Sequence, residues 1–443
     1  MKVVLLSTYE LGRQPFGLAS PAAWLRQDGA DVVCADLSRD RLPEEAVRAA
    51  DLVAFYVPMH TATRMAAKAT ERVKQLNPTA HLCFYGLYAP MNEDYLRRLG
   101  GRTILGGEFE AGLLTLVRNL QSAISNLQLP AVSLDRLAFR VPDRTGLPDL
   151  ARYAHLHLGT RGHRVSGYTE ASRGCKHLCR HCPVVPVYNG AFRIVPREVV
   201  LEDIRRQVAA GAEHITFGDP DFFNGPTHAM AIVEALHREF PALSYDVTIK
   251  VEHLLQHRRH LPTLRDSGCV LVTTAVESLD DHVLKLLEKG HTRSEFEEVA
   301  RIFQDLGLAL NPTFVPFHPW TTLAGYQDLL RTLSDLGLGE SVSPVQLGIR
   351  LLIPAGSRLL ELDEVRAIVG PFDEAALSYP WRHPDSAVEQ LCTDVQGTVA
   401  RGAAKEWPRA EVMAKIAEAA GLGSLPVLPA RIEVPYLNEP WYC

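Results

Sequence analysis

The 443-residue chain has no basic excess, no long apolar run and little cysteine. Each absence removes a class of function. Lys and Arg number 46 against 52 Asp and Glu, a formal net charge of -6. The concentrated basic face that a polyanion needs is therefore not expected, and nucleic acid is set aside as a partner. No stretch approaches the roughly 18 to 20 apolar residues of a spanning helix, which sets aside a membrane. The N-terminal "MKVVLLSTYELG" is apolar over too short a run for a signal-peptide core and reads as a buried strand, so a cytoplasmic protein is expected. Eight cysteines, five of them scattered at 34, 83, 269, 392 and 443, make no disulfide framework. Small molecules remain as the expected partners.

Composition is otherwise that of a globular protein, with 47% hydrophobic and 22% charged residues. Residues 1–120 alternate apolar runs ("KVVLLST", "ADVVCADL", "ADLVAFYVP", "AHLCFYGLYA", "RTILGGE") with helical stretches. Continuous apolar runs are buried on both faces, so this part is expected to be a doubly wound α/β domain with ligands beyond the carboxyl ends of its strands. Residues 121–165, rich in Pro, Gly and Arg, read as a linker. From 166 to 375, β then α units recur: "FRIV", "HITFGD", "SYDVTIKV", "CVLVTTAVE", "ALNPTFVPF" and "VQLGIRLLIP". Six such units suit a partial (β/α)6 barrel, with chemistry at the carboxyl ends of the strands. Residues 376–443 read as a helical extension that ends in a cysteine tail.

The other three cysteines, Cys175, Cys179 and Cys182, stand in "EASRGCKHLCRHCPVV". C-x3-C-x2-C leaves three outcomes open. Zinc would take a fourth ligand from His177 or His181. An iron-sulfur cluster would use three thiolates on three irons and leave the fourth iron open. Inert or redox-active thiols are the third. In "YDVTIKVE", Asp246, Thr248, Lys250 and Glu252 share one parity and are expected to line the barrel interior. Lys250 suits a carboxylate and Glu252 a hydroxyl. Asp219 in "FGDPDFFNG" suits a turn. Cys269 opens an apolar strand and reads as core.

With these residues in place, the chain resembles the radical S-adenosylmethionine (SAM) superfamily, in which a C-x3-C-x2-C loop holds a 4Fe-4S cluster whose open iron chelates SAM. The resemblance implies Cys175, Cys179 and Cys182 as cluster ligands, with His181 where an aromatic residue is usual. "TTAVESLDDHVLKLLEKGHT" resembles a fourth-strand segment of the superfamily, with Glu277-Ser278 and Lys289-Gly290 in matching places. "GIRLLIPAGSRLL" resembles the sixth. Cofactor contacts are thereby expected from Asp219, Lys250, Glu252, Glu277 and Ser278, and catalytic roles from Lys250, Glu252, Glu277 and Cys443. A flavodoxin or ferredoxin is the implied electron donor.

The N-terminal domain resembles the cobalamin-binding domain of many such enzymes through "TILGGEFEAGLLTL", with Gly107, Glu108 and Glu110. The Asp-x-His-x-x-Gly motif is missing where the sequence reads "STYELG". Cobalamin bound without that histidine and a vestigial domain both remain open. "FVPFHPWTT" and the tail "PYLNEPWYC" resemble the radical SAM proteins that end in Cys-Cys-Ala-Glu-Pro or its selenocysteine form. The implied function is reductive SAM cleavage with alkyl transfer. The group is methyl, or 3-amino-3-carboxypropyl passed to arsenite. The alternatives are another 5′-deoxyadenosyl-radical modification of a small molecule, or a sensor without turnover.

Overall fold

The fold was examined in a computed structural model that describes residues 1–122, 129–423, 425 and 434–438. Cys443 lies outside the described residues. The apolar runs of the first part form five parallel strands: β1 (Lys2–Ser7), β2 (Asp31–Asp36), β3 (Leu52–Tyr56), β4 (His81–Tyr85) and β5 (Thr103–Gly107). Their order is β2-β1-β3-β4-β5, with the short β6 (Val132–Ser133) parallel at the edge beside β5. Strand alternation explains why these runs show no polar side. Val3 and Leu5 enter one core, with Leu18 and Leu25 of the helix Phe16–Gln27 and Leu113 of the helix Phe109–Gln121. Val4 and Leu6 enter the opposite core, with Ala66 and Val73 of the helix His60–Leu76. The strand order reverses direction between β1 and β3, which makes that crevice the ligand position of such a sheet.

The second sheet contains β7 (His155–His157), β8 (His163–Thr169), β11 (His214–Phe217), β12 (Ser244–Thr248), β13 (Cys269–Glu277), β14 (Ala309–Phe314) and β15 (Tyr436–Leu437). Strands β8, β11, β12, β13 and β14 are parallel neighbours in that order, and a parallel bridge from Phe317 to Arg350 adds a sixth position. The sheet curls as a half-barrel, matching the expected α/β class. On the outer edge, β7 pairs antiparallel with β8, and β15 with β7. The terminal helices Ser386–Ala404 and Arg409–Ala419 pack Val395 and Ile416 into the same core as Leu330 and Val272.

Besides "VQLGIRLLIP", which forms the 3-10 turn Pro344–Gly348 and a single bridge at Arg350 in place of a strand, two strand assignments differ from the sequence reading. "FRIV" supplies β10 (Phe192–Ile194), which pairs antiparallel with β9 (Ser172–Gly174) in a separate ribbon and leaves Ile194 exposed. The first parallel strand is instead β8, "HRVSGYT", which begins in the segment read as a linker and runs past its end. Its Gly167 explains the weak sequence signal: a Cβ there would stand 2.6 Å from Gln207 Oε1 and 2.8 Å from Ile215 Cδ1. Close helix packing has replaced the bulky side chain that marks a strand. The second difference is β12, which ends at Thr248 rather than running through residue 252.

Candidate active site at the cysteine loop

The cysteine loop leaves the carboxyl end of β8 through β9. Gly174 makes the turn at φ +70°, and a Cβ there would stand 2.3 Å from Ala191 O, so glycine is required on both counts. Cys175, Cys179 and Cys182 follow as free thiols, the first two buried and the third partly so. The Cys182 amide donates to Cys179 O at 3.1 Å, and Asn224 Nδ2 donates to Cys175 Sγ at 3.6 Å. Burial pushes the Cys182 thiol up to about 12 and raises Cys175 as well, while Lys289 opposes the shift at Cys182. Three soft thiols gathered in one loop, with the Lys289 ammonium close to Cys182, fit an iron-sulfur centre.

Lys289 is buried because it has a partner there. Its Nζ lies 3.2 Å from Glu277 Oε1, and His181 Nε2 lies 3.1 Å from the same oxygen. Burial alone would raise the Glu277 carboxyl, but Lys289 and His181 together hold it well below the usual carboxylate range. Glu277 reaches this position through a register shift at the end of β13 that leaves it at φ +69°, a conformation rare for a residue with a side chain. The bulge aims one carboxylate at both the cysteine loop and the lysine. Ser278 accepts from the Asp280 amide at 3.1 Å and shapes the turn that follows.

The remaining site residues are placed as follows. Both oxygens of Asp219 are engaged by the segment before the cysteines, accepting from the Ala171 amide at 3.0 Å and from Ser172 Oγ, and burial pushes its carboxyl up to about 7. Asp246 is taken by His214 at 2.8 Å and Thr216 at 2.6 Å. The shared parity of Lys250 and Glu252 with Asp246 is not realised, because Lys250 caps the helix Val251–Gln256 and Glu252 lies in its first turn. The two still meet at 3.5 Å, with Lys250 buried and Glu252 reaching outward. Cys269 is buried in the core, as expected.

Beyond β13 and β14 opens a cleft of about 400 Å³, lined by Glu277, Ser278, His318, Trp320, Thr321 and Asp328 among others. Sequence reasoning missed His318 and Trp320 as lining residues, although both lie in the quoted "FVPFHPWTT".

Residues 169–331 match the radical SAM superfamily. The superfamily's cofactors are a 4Fe-4S cluster and SAM. The hopanoid C-3 methylase of Methylococcus capsulatus is 26% identical over 326 residues, 69% of this chain and 62% of its own. The ribosomal protein uS12 methylthiotransferase RimO of Parabacteroides distasonis is 24% identical over 235 residues, 48% of this chain and 52% of its own. The chain thus spans little more than half the length of these relatives. Among solved structures, the cobalamin-dependent SAM radical enzyme OxsB, with aqua-cobalamin and SAM bound, superposes with a TM-score of 0.67 at 14% identity, covering 91% of this chain and 67% of its own. The radical SAM methyltransferase TsrM from Kitasatospora setae gives 0.61 at 15% identity, covering 83% and 77%. These likenesses establish the fold of both sheets.

At the carboxyl end of β1, Ser7 Oγ, Glu10 Oε2 and Gln14 Oε1 are buried without hydrogen-bond partners. Such orphaned groups suit the edge of a ligand site. "STYELG" places no histidine there, while Tyr56, Tyr85 and Phe109 fill the space behind it with centroid separations of 5.0 to 5.9 Å. The edge fits a corrinoid held without a histidine under its metal.

The two carboxyl edges face each other. Arg173, just before the cysteine loop, donates to Glu108 at 3.2 Å and to Glu110 at 2.7 Å, both next to the end of β5, and to Glu170 at 2.8 Å. Glu110 in turn accepts from Ser20 Oγ at 2.6 Å. Glu108 and Glu110, singled out by resemblance, therefore form the contact with the cysteine-loop side, while Gly107 packs against Ser133 at the sheet edge.

Proposed function

We propose that the chain is a radical SAM alkyl transferase, most simply a methyltransferase, acting on a small molecule seated in the cleft beyond β13 and β14. A 4Fe-4S cluster on Cys175, Cys179 and Cys182 supplies the electron for reductive cleavage of SAM, drawn from a flavodoxin or ferredoxin. The observation that carries this reading is the grouping of three free thiols, two buried and one partly so, with Lys289 and with Glu277, which also lines that cleft.

Lys289 balances negative charge at the thiolates, and Glu277 fixes Lys289 and His181 at one distance. Lys250 offers its ammonium to the SAM carboxylate, with Glu252 and Ser278 as hydrogen-bonding groups nearby. His318 and Trp320 give the cleft one polar and one aromatic wall for an organic substrate. The opposed edges favour methyl transfer, since a corrinoid beyond β1 would lie toward the cysteine loop. The names of the methylase and methyltransferase relatives support the same branch. Aminocarboxypropyl transfer to arsenite rests on Cys443 and has no support among the described residues.

The test is anaerobic turnover with SAM carrying an isotope-labelled methyl group, with hydroxocobalamin added. Labelled methyl is expected in a small-molecule product, with bound cobalamin showing no histidine coordination. Label in RNA or protein instead, or 5′-deoxyadenosine without methyl transfer, would replace this reading.

A further inference from the structure

Between the cysteine loop and the two strands beside it lies a group of side chains that the proposed chemistry does not use. Asp221 follows β11 in "FGDPDFFNG". Its Oδ1 accepts from the Phe223 amide at 3.2 Å and so caps the short turn Phe222–Asn224. The other oxygen, Oδ2, is fully buried and has no hydrogen-bond partner. His253, on the helix Val251–Gln256 after β12, brings Nδ1 to 2.6 Å from that oxygen. At this separation a hydrogen bond would be expected, yet the two atoms are not aligned for one, and Nδ1 is also buried without a partner. Two buried acceptor-capable atoms this close, neither with a hydrogen-bond partner, lack the cation or proton that would satisfy both.

A third donor approaches this pair from the cysteine loop. His177, between Cys175 and Cys179, places Nε2 at 3.8 Å from Asp221 Oδ2 and at 3.4 Å from His253 Nε2. Donor atoms of all three residues lie within 4.8 Å of one another. Two donors bound at about 2.1 Å on a tetrahedral ion stand roughly 3.4 Å apart, a value between the 2.6 Å of Asp221–His253 and the 3.8 Å of Asp221–His177, so closing on one cation takes side-chain rotation and no backbone rearrangement. The other nitrogen of His177 faces Glu252 Oε2 at 3.7 Å, the arrangement by which a carboxylate orients a metal-bound imidazole.

We propose that His177, Asp221 and His253 form a mononuclear site for a divalent transition ion, distinct from the cluster on the cysteines. Two imidazoles and one carboxylate select a borderline ion such as zinc, whereas the three thiolates select the softer iron-sulfur centre. The cation neutralises the buried Asp221 oxygen, whose unpaired state is otherwise costly. It also joins three separate elements: the cysteine loop, the turn after β11 and the helix after β12. Its consequence is mechanical, since the loop that carries Cys175 and Cys179 would be anchored through His177 as well as through its thiols.

The experiment uses the full chain with its cluster reconstituted, stripped of loosely bound metal and titrated with zinc(II) alone, with iron and zinc read by elemental analysis. The expected result is about one zinc per chain in addition to the cluster iron, with binding weakened on the order of tenfold or more in Asp221→Asn and in His253→Gln while iron is unchanged. His253→Gln leaves the Asp221 cap intact and so reads the site apart from the fold. Zinc that fails to bind the cluster-loaded chain, or that binds both variants as tightly as the native protein, overturns the proposal.

Discussion

Glu277 shows how much one side chain is asked to do. It occupies a left-handed backbone position, is buried, and holds both Lys289 and His181. Removing one partner of a buried ion pair leaves the other charge uncompensated, which costs about 3–5 kcal/mol. Lys289→Met is therefore expected to lower the unfolding free energy by that order and to reduce iron retained after reconstitution, measured by denaturant titration and iron analysis. A variant as stable as the native protein with full iron would show that the pair contributes little. The sequence made Glu277 and Lys289 visible as a resemblance, but not as a pair. Twelve positions separate them, and the bulge that brings them together has no local signature.

Among elements, the strands that show full burial on both sides were legible, because β1, β3 and β4 are apolar at nearly every position. β8 was not, since His163, Arg164 and Gly167 break its pattern and its stability comes from neighbours remote in sequence. The cysteine trio was legible from spacing alone. Lys250 and Glu252 were found for a parity that the helix after β12 replaces, and the Asp221–His253 contact spans two loops whose approach only the fold reveals.

The junction of β5 with β9 carries its own pH dependence. Burial pushes Glu108 up to about 7, with Arg173 opposing and Glu110 adding to the rise, so the folded state holds its proton more tightly than the unfolded chain. The resulting stabilisation is complete below the ordinary carboxylate value of 4.5 and is lost as pH rises through about 7, a difference on the order of 3 kcal/mol. Melting curves across that range should show the native protein losing more stability toward alkaline pH than Glu108→Gln. Parallel pH profiles for the two proteins would contradict the assignment.

At the scale of the whole molecule, the two sheets are set with their carboxyl edges opposed, and the buried Arg173 network holds them so. One edge supplies unpaired polar groups beyond β1, and the other supplies the cysteine loop and the cleft beyond β13 and β14. Everything in the account depends on the cysteine loop binding a cluster with one iron open to SAM. The direct measurement is electron paramagnetic resonance of the reduced, reconstituted protein with and without SAM, alongside Cys179→Ala. The account predicts a cluster signal that shifts when SAM is added and is lost in the variant. A signal indifferent to SAM, or full iron and an unchanged signal in Cys179→Ala, would contradict it.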